Sequence, residues 1–248
     1  MNINDFVASN SARTYLGLQS GTQYSPYTSK VSSASQAGLQ KVETRLQSEV
    51  DVTSAQLSSF GQLQSSVSSV QMAAKSLGSV TAKSSIADVK TAADKFVSTF
   101  NAAISAAKTT ANVPGEMAST QRATRVGRDL GGAVSDNTAT FDALKNIGFN
   151  MQSDGTVTLD AKKFEAAQKA DLTSVKSTLE NLGQQVDKTA TQELATSGNV
   201  GHSMTWLNQR AAILQNQKSM VTALQQTATQ SNTNSMYGSF GLPAYTSY

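Results

Sequence analysis

The chain contains no cysteine and one histidine, His202. The first absence excludes disulfide scaffolds, Cys-type zinc sites and thiol enzymes. The second removes His-pair metal sites and makes a histidine proton relay a poor expectation. Charge is also scarce: 15% of residues are Asp, Glu, Lys or Arg, against roughly 25% in an average soluble domain. Aromatics make up 6%, with a single Trp, and there are 3 prolines. No run of about 18 apolar residues occurs, so no membrane span is expected. The start, Met1-Asn-Ile-Asn-Asp-Phe6, lacks the apolar stretch of a cleaved signal peptide. A net charge of +3 over 248 residues is too weak a bias to point to nucleic acid.

What fills the gap is Ser, Thr, Gln, Asn and Ala, unevenly placed. Before Lys30 only Asp5 and Arg13 are charged, and after Arg210 only Lys218 is. All six tyrosines fall near these two ends: Tyr15, Tyr24, Tyr27, Tyr237, Tyr245 and Tyr248. Tyrosine combines an apolar body with a polar tip and is enriched at interfaces. The ends therefore read as assembly surface, with Phe240 among them, rather than as solvated tails.

Periodicity makes the chain mainly α. Leu39, Val42, Leu46, Val50, Leu57, Phe60, Leu63, Val67, Val70, Ala74 and Leu77 recur at steps of three and four once Thr53 fills one gap. This is a heptad seam whose one long and one short pair of steps roughly cancel in supercoil phase. A helix over Leu39–Leu77 spans about 58 Å. Its outer face is Ser and Gln. A narrow seam needs a partner helix, and Leu207, Ala211, Leu214, Val221, Leu224 and Ala228 offer one at matching spacing. The expected architecture is a long antiparallel coiled coil of the N- and C-terminal helices, residues 39–80 and 203–231. A small α+β stalk domain over 86–187 lies between them. An N-terminal segment, 1–38, and a C-terminal tail, 232–248, flank this core.

Within the stalk, Val89, Ala93, Phe96, Val97, Phe100 and Ile104 share one helical stripe, and Pro114-Gly115 ends that helix. A second amphipathic stretch runs over 119–134. A β-hairpin then occupies 149–159. A two-residue Asp154-Gly155 turn would split its apolar residues between faces. A three-residue loop with Gly155 left-handed instead pairs Met151 with Val157 and Phe149 with Leu159. The second register keeps all four on one face and is the one expected. Asp160 and Asp171 cap the helices that follow.

Several segments, in order, resemble the bacterial flagellar filament-cap family, also called hook-associated protein 2 or FliD. They are Phe141-Asp-Ala-Leu-Lys-Asn-Ile-Gly148-Phe149, Ser153-Asp-Gly155-Thr-Val-Thr-Leu-Asp160, Lys95-Phe-Val-Ser-Thr-Phe-Asn101, Phe60-Gly-Gln-Leu63 through Val70, and Leu207 through Gln226. Two features depart from the family. Its large outer domains have no room between Leu77 and Asp88, and its Ser-Gly-Leu-Asp motif is replaced by Leu16-Gly-Leu-Gln-Ser-Gly21. The resemblance implies a protein of the flagellar axis, exported through a type III apparatus, that caps or nucleates filament assembly outside the cell. Its partners would be copies of itself and flagellin or other axial proteins. The alternative is a subunit of an extracellular helical filament, flagellin-like, built from a cap-like shaft.

Other motifs are weaker. Ser105-Ala-Ala-Lys108 matches a penicillin-binding SxxK pattern but lacks the accompanying motifs. Arg122, Arg125 and Arg128 form a basic stripe without the aromatic platform of a nucleic-acid site. Asp88 and Asp94 read as helix-surface charges, His202 as a surface or capping residue in a turn before the last helix, and Gly131-Gly132 lacks the lysine of a phosphate loop. No catalytic, metal or cofactor residue is therefore assigned, and the chain is expected not to be an enzyme. The expected assembly interface comprises Tyr15, Tyr24, Tyr27, Leu39, Val42, Leu46, Leu57, Phe60, Leu63, Val67, Val70, Leu77, Leu207, Leu214, Val221, Leu224, Tyr237, Phe240, Tyr245 and Tyr248. The hairpin is carried by Phe149, Met151, Gly155, Val157 and Leu159.

Overall fold

The computed structural model describes residues 33–80 and 84–237, which are mainly helical with one two-stranded antiparallel sheet. In chain order the elements are α1 (Ser33–Gly78), α2 (Ile86–Ala111), α3 (Met117–Ser135), α4 (Thr138–Asn146), β1 (Phe149–Met151), β2 (Val157–Leu159), α5 (Ala161–Ala170), α6 (Leu172–Leu194) and α7 (Asn199–Tyr237). The chain divides into two compact units. One takes the residues up to Asp51 and from Ala212, the other Val52–Ala211.

The Val52–Ala211 unit holds a continuous core. Phe60, Leu63, Val67, Val70, Ala74 and Leu77 from α1 are buried there with Val89, Phe96, Phe100 and Ile104 from α2. Val126 and Leu130 of α3, Leu179, Leu182 and Val186 of α6, and Leu207 of α7 complete it. The α2 stripe is the one that periodicity marks, and α2 packs against α3. Where α6 meets α1, a side chain on Gly183 would put its Cβ 2.4 Å from the Ala74 carbonyl oxygen. Only glycine permits that approach. Gln71 of α1 also donates to Thr191 of α6 at 2.7 Å.

Capping sets the helix starts. Ser85 and Asp88 form a reciprocal capping box on α2, and the Ser85 hydrogen bonds hold the Asp88 carboxyl below its usual range. Asp160 accepts from the Lys162 and Lys163 amides at the head of α5, and Asp171 accepts from Ser174 at the head of α6. Asn137 caps α4, a helix that the sequence pattern does not announce. Two further starts differ from expectation. Helix α1 begins at Ser33 and α7 at Asn199. His202 therefore sits in the first turn of α7 rather than in a turn before it. Its amide donates to the Gly198 carbonyl.

The hairpin register is Phe149↔Leu159 and Met151↔Val157. Gln152 N–H to Thr156 C=O closes the ladder, leaving Ser153-Asp154-Gly155 as a three-residue loop with Gly155 at φ +83°. That is the register the apolar alternation favours. Asn101 of α2 locks the ribbon down: its amide nitrogen donates to the Val157 carbonyl at 2.8 Å, and its amide oxygen accepts the Val157 N–H at 2.7 Å. At the hairpin base Gly148 has φ +98°, and a Cβ there would lie 2.9 Å from the Asp160 carbonyl oxygen. The Asp160 N–H in turn donates to the Gly148 carbonyl.

Candidate assembly surface

The unit formed by residues up to Asp51 and from Ala212 contains two described helical segments, 33–51 of α1 and 212–237 of α7. Gln225 Nε2 donates to Glu43 Oε2 at 2.9 Å, and Lys218 Nζ donates to Gln47 Oε1. Numbers rise along one segment as they fall along the other, so within this unit they run antiparallel. Lys218 is the only charged side chain of 212–237, and this bond turns it toward α1.

Leu214 and Ala228 are buried, while Leu39, Leu46, Val50 and Val221 are half-buried. Others remain in water: Val42 is 41% exposed, Ile213 52%, Met220 65% and Leu224 39%. Leu214, Val221 and Ala228 follow one another at seven-residue spacing and define the inward seam of α7. Ile213, Met220 and Leu224 lie within about 40° of one another, centred roughly 80° around the helix from that seam. They form an apolar flank beside it, on a segment whose exposed polar side chains over 212–229 are Gln, Asn, Ser and Thr.

The other residues expected at the interface are placed differently. Phe60, Leu63, Val67, Val70, Leu77 and Leu207 are buried in the core of the Val52–Ala211 unit, and Leu57 packs against that core. Tyr15, Tyr24, Tyr27, Phe240, Tyr245, Tyr248 and the Tyr237 side chain lie outside the described residues. Sequence reasoning ranked seam positions and so missed Ile213 and Met220. Subtracting the heptad seam and asking what apolar residues remain would have found them.

In the Val52–Ala211 unit, a cleft of about 720 Å³ lies between α2, α3 and the hairpin loop, lined by Lys108, Gly127, Arg128, Gly131, Met151 and Asp154 among others. Asp154 accepts from the Thr156 amide and hydroxyl at 3.0 and 2.6 Å, which lowers its carboxyl to about 2. The neighbouring Lys108, at 3.3 Å, adds to this. The lysine of the SxxK pattern is therefore an ion-pair partner of the loop, and Ser105 is exposed. Gly131 packs toward Met151, where a Cβ would lie 3.6 Å from its methyl carbon. Asp94 pairs with Lys90 at 3.0 Å. Among the described residues no three His, Cys, Asp or Glu side chains come close enough to hold a metal ion. No described helix is long and apolar enough to cross a membrane.

One buried carboxyl stands out. Glu193, at the end of α6, is 5% exposed. Its Oε2 accepts the Asn199 backbone N–H at 3.2 Å, and its Oε1 accepts Asn199 Nδ2 at 3.1 Å. The same Nδ2 reaches Asp129 Oδ2 of α3 at 3.5 Å. Burial and the adjoining Asp129 carboxyl push Glu193 up to about 7, against the lowering effect of its bonds to Asn199. No sequence pattern marks this trio, because Asp129 and Asn199 are 70 residues apart. Comparisons with protein families, with curated proteins and with solved structures each return no match.

Proposed function

We propose that this chain is a non-enzymatic structural protein that assembles with copies of itself, of the flagellar filament-cap type. The observation that carries self-assembly is the exposed flank Ile213–Met220–Leu224 on a nearly uncharged helix. Apolar side chains that stay in water gain roughly 25 cal/mol per Å² when covered. A surface of amides and hydroxyls sets up little charge repulsion between copies. In this reading residues 33–51 of α1 and 212–237 of α7 form an antiparallel coiled-coil shaft, and its apolar flank packs against neighbouring subunits outside the cell. Export is through a type III apparatus. Flagellin or other axial proteins are further partners.

The cap assignment rests on the sequence resemblance. Physical roles of several shared residues accord with it: Asn101 ties the hairpin to α2, Gly148 and Gly155 supply left-handed turns, and Asp160 caps α5. One observation favours the alternative of an open filament: residues 79–85 alone join α1 to α2, leaving no outer plate.

Negative-stain microscopy with light scattering on the full chain tests both. Small closed rings are expected for a cap. Indefinite helical polymers identify the filament subunit, since a contact that does not close propagates. A monomer at every concentration up to the millimolar range overturns self-assembly.

A further inference from the structure

The turn between α6 and α7 has no slack. A Cβ on Gly198 would lie 2.0 Å from the Gln192 carbonyl oxygen, and one on Gly201 would lie 2.1 Å from that of Ala195. The end of α6 and the start of α7 are therefore in backbone contact. At this corner the Asn199 amide bridges two carboxyl groups, Glu193 from α6 and Asp129 from α3. The Glu193 carboxyl also takes up the Asn199 N–H, one of the orphan donors of the first turn of α7.

We propose that Asp129, Glu193 and Asn199 form a proton-operated latch that holds the α6–α7 corner closed while the carboxyl pair keeps one proton and loosens it when both groups ionise. With one proton present, one carboxyl donates to the other while Asn199 ties both to α7. With none, the buried Glu193 carboxylate faces the charge of the exposed Asp129, and neither can donate. The proton goes to solvent. The charged group facing Glu193 is Asp129 from α3. From α7 it faces the neutral Asn199 amide, and His202 one turn on is exposed. Among the described residues no cation acts on Glu193, and relief comes by separation, which frees the Asn199 N–H and the first turn of α7. The device stands on the geometry of the Val52–Ala211 unit and is independent of the assembly reading.

Native-state hydrogen exchange of the full chain at pH 6 and pH 8, corrected for intrinsic exchange, tests the latch. The opening constant of the Asn199 and His202 amides should rise about tenfold over that range. This is the ratio that follows when a carboxyl titrates near 7 closed and at its ordinary value open. Glu193→Gln should abolish the rise, and Asp129→Asn should move it to lower pH. A pH-independent opening constant in the native protein, or an equal rise in Glu193→Gln, overturns the proposal. Should Glu193→Gln fail to fold, carbon-detected NMR of the native Glu193 carboxyl decides. A midpoint near 7 supports the latch, and one in the ordinary carboxylate range overturns it.

Discussion

A two-stranded ribbon leaves alternate backbone groups on each outer edge without a ladder partner, and Val157 is such a position on β2. Asn101 supplies both missing partners with one amide, at 2.7 and 2.8 Å. Asn101→Ala should leave a partly buried N–H and C=O unpaired and cost about 1–3 kcal/mol. Denaturant midpoints and faster amide exchange across 149–159 measure it. Asn101→Asp keeps an acceptor, loses the donor and should recover only part of the loss. Glu193 makes a second prediction at this scale, about pH. Its folded value of about 7 lies above its ordinary 4.5, so the unfolded chain loses this proton first. The group's stabilising contribution is complete below about pH 4.5 and declines as pH rises through 7. The full span is at most about 3 kcal/mol. Urea unfolding at pH 5 and pH 8 should show that loss, and Glu193→Gln should remove it.

The contact between α1 and α6 depends on a missing side chain. With Gly183 directly against the Ala74 carbonyl, Gly183→Ala forces a backbone shift of α6 that should destabilise by about 1–3 kcal/mol, as overpacked sites do. A lowered urea midpoint with unchanged helix content by circular dichroism would establish this. Glycine in a helix normally weakens it, which is why sequence reading gives Gly183 no role. The elements that were legible are those whose local chemistry and burial agree. In the hairpin, period-two alternation, the Asp-Gly loop and the Asp160 cap point to one register. In α2, a stripe of Val89, Phe96, Phe100 and Ile104 is the face that is buried. Helix α4 was not legible, because Thr138–Asn146 is nine residues long with only Leu144 buried. So little pattern cannot be told from a loop.

At the scale of the whole chain, the low charge was visible from composition, but which residues it left exposed was not. Periodicity finds the seam that closes on a partner helix. It does not separate a seam filled within the chain, as at Phe60 to Leu77, from a flank left open, as at Ile213, Met220 and Leu224. Met220→Glu follows from that distinction. The residue is 65% exposed, so the fold should be unaffected. A charge placed in a covered apolar contact should weaken assembly at least tenfold, about 1.4 kcal/mol. Concentration-dependent light scattering against the native protein reads the difference, and equal assembly would remove the flank from the interface. The long-range ties of the Val52–Ala211 unit have another consequence, in time. Ser59 bonds to Thr110 across 51 residues, Lys176 to the Ser84 carbonyl across 92, and Gln71 to Thr191 across 120. Closure entropy for such separations must be met before their contacts reward it. A chain that emerges amino end first therefore carries the apolar face of α1 incompletely covered until α6 has followed. For the interval between the two, Phe60 to Leu77 is the stretch that a chaperone, a channel wall or a neighbouring nascent copy would meet.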